Sequence, residues 1–168
     1  MVKFFKLFIL LLYVLSPTST YSIDQLNIKN LVIHNKPKKL EKLEFKNVEN
    51  ETILLSDFKN KLIVLNFWAT WCLPCRDEMP SLDNLAVNQE LKNLEVIAVN
   101  IGRENVTKAK EFYIETNIQN LKIYYDKSLN ITKKLLLRGI PTTIFINKNG
   151  EEFGRVIGEV NFEEKKFI

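Results

Sequence analysis

Lys61-Leu62-Ile63-Val64-Leu65-Asn66-Phe67, followed by Trp71-Cys72-Leu73-Pro74-Cys75, decides the fold. The first stretch is a nearly continuous apolar run with β-branched members, the pattern of a strand buried on both faces. Arg76-Asp77-Glu78 opens a polar, helix-compatible run directly after the second stretch. A strand leading through Cys-x-x-Cys into a helix places Cys72 at a helix N-terminus. There the free N–H groups and the helix dipole favour a thiolate. Two cysteines at this spacing close a small disulfide with little backbone movement, so the pair can cycle between dithiol and disulfide.

Other uses of the pair fit less well. A structural zinc site takes four protein ligands, and the chain has no third cysteine and a single histidine, His34, far upstream. A purely structural disulfide would close a ring too small to constrain the unfolded chain much. Redox chemistry is the strongest reading.

The chain of 168 residues, 46% of them hydrophobic, suits one domain with a real core and a leader. Met1 to Lys6 is short and basic, Leu7 to Leu15 is apolar, and Ser16 to Thr20 is small and polar. This three-part pattern reads as a secretory signal peptide over residues 1–22, or, lacking an Ala-x-Ala cleavage site, as an uncleaved membrane anchor. Residues 23–41 read as a solvated, lysine-rich spacer, and 42–168 as the domain. Of the formal charge of +4, two belong to Lys3 and Lys6. The His34–Lys39 cluster lacks interleaved aromatics, so nucleic-acid binding is not expected.

Two short strands are expected at Leu43–Val48 and Thr52–Leu55, ahead of the central strand. A helix follows over Asp77–Leu91, kinked at Pro80. Further strands are expected at Leu94–Ile101, Leu121–Tyr125, Thr142–Ile146 and Glu151–Ile157, the last two joined by an Asn-Gly turn. Helices are expected at Glu104–Thr116 and Ser128–Leu137, and a last one starting over Asn161–Ile168. The fold class is therefore α/β: a mixed central sheet flanked by helices, with an added N-terminal β-hairpin.

Asn66 to Pro80, Val99-Asn100-Ile101-Gly102 and Gly139-Ile140-Pro141-Thr142-Thr143 resemble, in this order, three segments of the thioredoxin superfamily. The first looks like the signature of its TlpA/ResA-like exported reductases, several of which serve cytochrome c maturation. The resemblance implies a thioredoxin fold with Cys72 as the attacking thiolate and Cys75 as the resolving thiol. It implies a cis peptide before Pro141, leaving the Ile140 backbone to pair with an extended substrate. Trp68 and Trp71 would flank the groove. Glu78, one helical turn after Cys75, would manage protons, since Asn66 stands where cytoplasmic thioredoxins carry a buried Asp. Leu73-Pro74 between the cysteines offers no side-chain donor to the thiolate, which points to a reductant. Some relatives carry a second acid where this chain has Arg103, with Glu104 next along.

The expected protein is thus an exported, periplasmic thiol–disulfide oxidoreductase, soluble or tethered to the inner membrane, and monomeric. Its expected substrates are protein disulfides, with apocytochrome c favoured. A membrane electron donor would recharge it, and no cofactor or metal is implied beyond the redox-active disulfide. A disulfide oxidase or isomerase of the same fold is the rival. A copper-delivery protein is the more distant one, and would need a distant histidine as third ligand and typically three residues between the cysteines, whereas His34 falls in the expected spacer.

Overall fold

The computed structural model describes residues 30–164. The leader at residues 1–22 therefore lies outside the described residues, as does the second half of the expected last helix, residues 165–168. Asn161–Glu164, where that helix was to begin, form turns instead.

Eight strands form one sheet in the order β1-β8-β7-β4-β5-β6-β2-β3. In chain order they are β1 (Leu31–Lys39), β2 (Glu44–Lys46), β3 (Thr52–Leu54), β4 (Leu62–Trp68), β5 (Leu94–Asn100), β6 (Ile123–Tyr125), β7 (Thr142–Ile146) and β8 (Glu151–Ile157). Three helices intervene: α1 (Leu73–Ala86), α2 (Val106–Glu115) and α3 (Asn130–Lys134). Strands β4, β5 and β6 run parallel, as expected of strands joined by helical crossovers. Strand β7 returns antiparallel to β4, and β8 pairs with it through the Asn147–Gly150 turn. The β2–β3 hairpin joins the far edge through Lys46 opposite Tyr125.

Alternation along β4 explains the two cores. Ile63, Leu65 and Phe67 face a cluster with Ile97, Val99, Ile144 and Ile146. Val64 and Trp68 face the other cluster, with Met79 and Leu82 of α1 and Phe112 of α2. Asn66 shares the parity of Val64 and Trp68, so a strand period of two aims its amide at α1.

One sequence expectation is corrected here. Residues 31–39 are not a spacer but an edge strand, with Leu31, Val32 and Ile33 opposite Val156, Arg155 and Gly154. The fold therefore starts at least eleven residues before the expected boundary at 42. Lysines and Pro37 suit an edge, where half the backbone groups face solvent. Gly154 makes the pairing possible, because a Cβ there would come within 3.0 Å of the Val32 carbonyl oxygen and 2.8 Å of Ile33 Cδ1.

Gly154→Val should therefore lift β1 from β8. We expect a loss of about 1–3 kcal/mol in urea unfolding, with new amide exchange in residues 31–33 by hydrogen–deuterium exchange.

Candidate active site

The site forms where β4 ends and α1 begins. Cys72 is the N-cap of α1, with extended backbone (φ −85°, ψ 103°), and its Sγ accepts from the Cys75 N–H at 3.3 Å. Helix α1 begins four residues earlier than expected because the cysteine itself caps it. Pro74 falls in the first turn, where a missing N–H leaves no intrahelical bond unmade. The helix continues through Pro80 to Ala86.

Cys72 and Cys75 form a disulfide, with Cα atoms 5.3 Å apart. Both are buried. Next to them in the chain, Trp71 and Leu73 are 68% and 69% exposed, an apolar rim to the disulfide. The Ile140–Pro141 peptide is cis. Ile140 packs, half-buried, against the cluster that contains both cysteines. The Pro141 carbonyl accepts from Gly158 N–H at 2.9 Å, tying this segment to the end of β8.

Trp68 departs from expectation. It is 0% exposed and packs against Phe112 and Tyr113, ring centroids 4.8 and 5.5 Å away. It supports the site from beneath and presents no surface to a substrate. The expected pair of flanking tryptophans thus reduces to Trp71. Arg76 pins the same layer from above, its guanidinium 4.9 Å from the Phe112 ring centroid and 3.0 Å from a Glu115 carboxylate oxygen.

Glu78 is 2% exposed, on α1 one turn beyond Cys75. Its carboxyl accepts from Asn66 Nδ2 and, at 2.7 Å, from the Val160 N–H. Asn66 also donates to Thr143 Oγ1 at 2.9 Å, so one amide links β4, α1 and β7. Burial pushes the Glu78 carboxyl up to about 8, against the lowering effect of those two hydrogen bonds, and Glu159 nearby adds to the rise. A groove of about 340 Å³, lined by Asp77, Glu78, Ser81, Glu159 and Val160 among others, adjoins it. On α1 the carboxyl stands one turn beyond Cys75, in a form that titrates near neutrality.

Sequence reasoning left open what Arg103 and Glu104 do. Arg103 has φ +61°, and this left-handed turn brings Glu104 back onto the site. Glu104 accepts from Thr70 N–H at 3.1 Å, from Thr70 Oγ1, and from Asn100 Nδ2 at 3.4 Å. Thr70 lies two residues before Cys72, so this acid braces the loop that leads into the disulfide. Gly102 leaves the space, since a Cβ there would stand 1.8 Å from Glu104 Oε1. Among the described residues no three His, Cys, Asp or Glu side chains stand together as a metal-holding group. His34 lies away from the cysteines, bonded to Glu152 at 2.8 Å.

A model of the AhpC/TSA family matches residues 37–151. The thiol-disulfide oxidoreductase ResA of Halalkalibacterium halodurans is 36% identical over 104 residues, 62% of this chain and 58% of that protein. ResA of Bacillus cereus is 32% identical over 117 residues, 70% of this chain and 66% of its own length. The chain thus spans a little over half the length of the first of these relatives. Among solved structures, the exposed lipoprotein thioredoxin Etrx1 of Streptococcus pneumoniae superposes with a TM-score of 0.62 at 28% identity, covering 71% of this chain and 91% of that one. StoA from Bacillus subtilis gives 0.64 at 24% identity, covering 77% and 97%, and bears on the fold alone.

The raised Glu78 carboxyl has a stability consequence. The folded protein holds a proton from about pH 4.5 to 8 that the unfolded chain has released, so stability falls as pH rises through that window. Glu152 is lowered, so its contribution is already in place above its ordinary value and does not overlap. Urea midpoints should decline from about pH 5 to 8, by an amount on the order of a few kcal/mol, and Glu78→Gln should flatten the decline. An unchanged pH slope in that variant would refute the assignment.

Proposed function

Because the chain belongs to the AhpC/TSA family of the thioredoxin superfamily, we propose that it is a thiol–disulfide oxidoreductase that reduces disulfides in other proteins. The observation that carries this is Cys72 at the N-terminus of α1, with the Cys75 N–H directed at its sulfur and a titratable carboxyl one turn below. ResA relatives described as thiol-disulfide oxidoreductases support the same chemistry.

In the reduced protein, the Cys72 thiolate attacks one sulfur of a substrate disulfide, and the other substrate sulfur leaves and takes a proton. Cys75 then loses its proton and attacks Cys72 Sγ in the mixed disulfide. The second substrate thiol is released and protonated. Two electrons pass to the substrate, and the enzyme ends with the Cys72–Cys75 disulfide. Glu78, one turn beyond Cys75 on α1, would take the Cys75 proton and pass it to solvent along the groove it lines with Glu159. Trp71, Ile140 and Pro141 form the surface on which an extended substrate segment would lie, pairing with the Ile140 backbone.

Apocytochrome c, with two cysteines to be kept reduced for haem, is the favoured substrate class. A membrane protein would return electrons to the disulfide. The proposed location is the periplasmic side of the inner membrane, with residues 1–22 as signal peptide or anchor. No helix among the described residues is long and apolar enough to cross a membrane.

The reduction potential of the Cys72–Cys75 couple, measured in defined thiol buffers, tests direction. A value near −270 mV or lower, the range of thioredoxin, is expected; about −120 mV would make the protein an oxidase. Cys75→Ser should trap mixed disulfides through Cys72 that a reductant releases. Failure to trap any would remove the proposed division of labour between the two thiols.

A further inference from the structure

A second cluster of buried charge lies on the other face of the sheet. Glu152 is 1% exposed and receives both ends of the Arg155 guanidinium, Nε at 2.6 Å and an Nη at 2.7 Å. His34 Nε2 completes the group at 2.8 Å from the same carboxylate. In a regular strand, residues three apart point to opposite faces. Here the β7–β8 ladder pairs Phe145 with Gly154 and then Ile146 with Glu152, so one extra residue, Phe153, is bulged out. That bulge puts Glu152 and Arg155 on one face. His34 likewise sits at the start of the irregular stretch of β1, between the paired Ile33 and Lys38. Two bulges in adjacent strands therefore converge on one buried ion group.

The remaining Arg155 Nη donates at 3.0 Å to the carbonyl of Leu135. Leu135 caps the C-terminal end of α3, a helix of five residues. A cation on the last carbonyls of a helix both bonds them and complements the dipole. The chain then turns sharply: Leu136 has φ +51° and is exposed. Five residues, Leu136 to Ile140, connect this anchor to Pro141. At the far end, Thr142 Oγ1 donates to the Gly139 carbonyl at 2.7 Å. The segment is thus held at both ends, and Arg155 adds a side-chain tie to its upstream end, where the Leu136 and Leu137 N–H groups bond the carbonyls of Lys133 and Thr132.

We infer that Arg155, held by Glu152, which His34 of β1 bonds in turn, is a positioning residue for the substrate-binding segment Leu136–Pro141. Arg155 reaches the reaction only through the Leu135 carbonyl. Its removal should loosen the surface that receives a protein while leaving the thiols as they are. The inference rests on the proposed reading that protein disulfides are the substrate.

The test compares the full chain on insulin, in the steady state with dithiothreitol as reductant, with the pre-reduced full chain, freed of dithiothreitol, in single turnover on the small disulfide 5,5′-dithiobis(2-nitrobenzoate). Arg155→Ala should raise KM for insulin about tenfold, the equivalent of one charged hydrogen bond. The insulin kcat, the rate with the small disulfide and the reduction potential should stay at wild-type values. Arg155→Lys keeps the charge but cannot span Glu152 and Leu135 together, and His34→Ala removes the His34 bond to Glu152. Both should raise the insulin KM to a lesser degree, and they carry the comparison if Arg155→Ala does not fold. Equal losses on both substrates would mark a merely structural ion pair and overturn the inference, as would an unchanged insulin KM. A wild-type protein inactive on insulin would instead overturn the protein-disulfide reading itself, and this inference with it.

Discussion

A carboxyl group removed from water must find partners inside the protein, and at Glu78 those partners hold the site together. The Asn66 amide reaches it from β4, and the same amide reaches Thr143 on β7. The Val160 N–H reaches it from the segment after β8. Three chain segments distant in sequence are thereby registered on one residue of α1, the helix that begins at Cys72. The energetic cost of burying the group is expressed as the upward displacement of its titration towards neutrality. The bonds that hold the site together and the raised titration of the carboxyl therefore have one physical origin, its burial.

A similar economy governs the opposite wall of the site. Glu104 follows Arg103 in the loop after β5, and its carboxylate reaches Thr70 because Arg103 adopts a left-handed conformation. Gly102 carries no side chain to obstruct it. A shift of one residue in a loop is absorbed by backbone geometry, whereas in a strand it would reverse the facing of every side chain. That difference explains why loop positions can drift while Asn66 and Glu78, on regular elements, are found by counting.

Much of this was legible from the residues. The apolar runs of β4 and β5 and the Asn-Gly turn announce the sheet, and β7 and β8 fall where periodicity and turn chemistry place them. The nucleophile pair and its helix follow from spacing alone. Trp68 was legible too, but by parity: two residues after Asn66 and four after Val64, it belongs to the buried face of β4. Its neighbour Trp71 lies beyond the strand and escapes that rule. Strand β1 was hidden because lysines and a proline read as a solvated linker. Its signal lay elsewhere, in Gly154 within an otherwise bulky strand, marking a close backbone approach. The bonds of Glu78 to Val160 and of Arg155 to Leu135 join segments that no local pattern connects.

Strand β1 also has a direction. It enters the sheet at Leu31, opposite Val156, and leaves it at Lys39, opposite Glu151. The Asn30 side chain lies by Gly158, whose N–H is bonded to the Pro141 carbonyl. Asn30 therefore lies at the pole that carries the cysteines, and β1 runs away from it towards Lys39. The polarity of one edge strand thus puts the first described residue of the chain and the disulfide at the same end of the sheet.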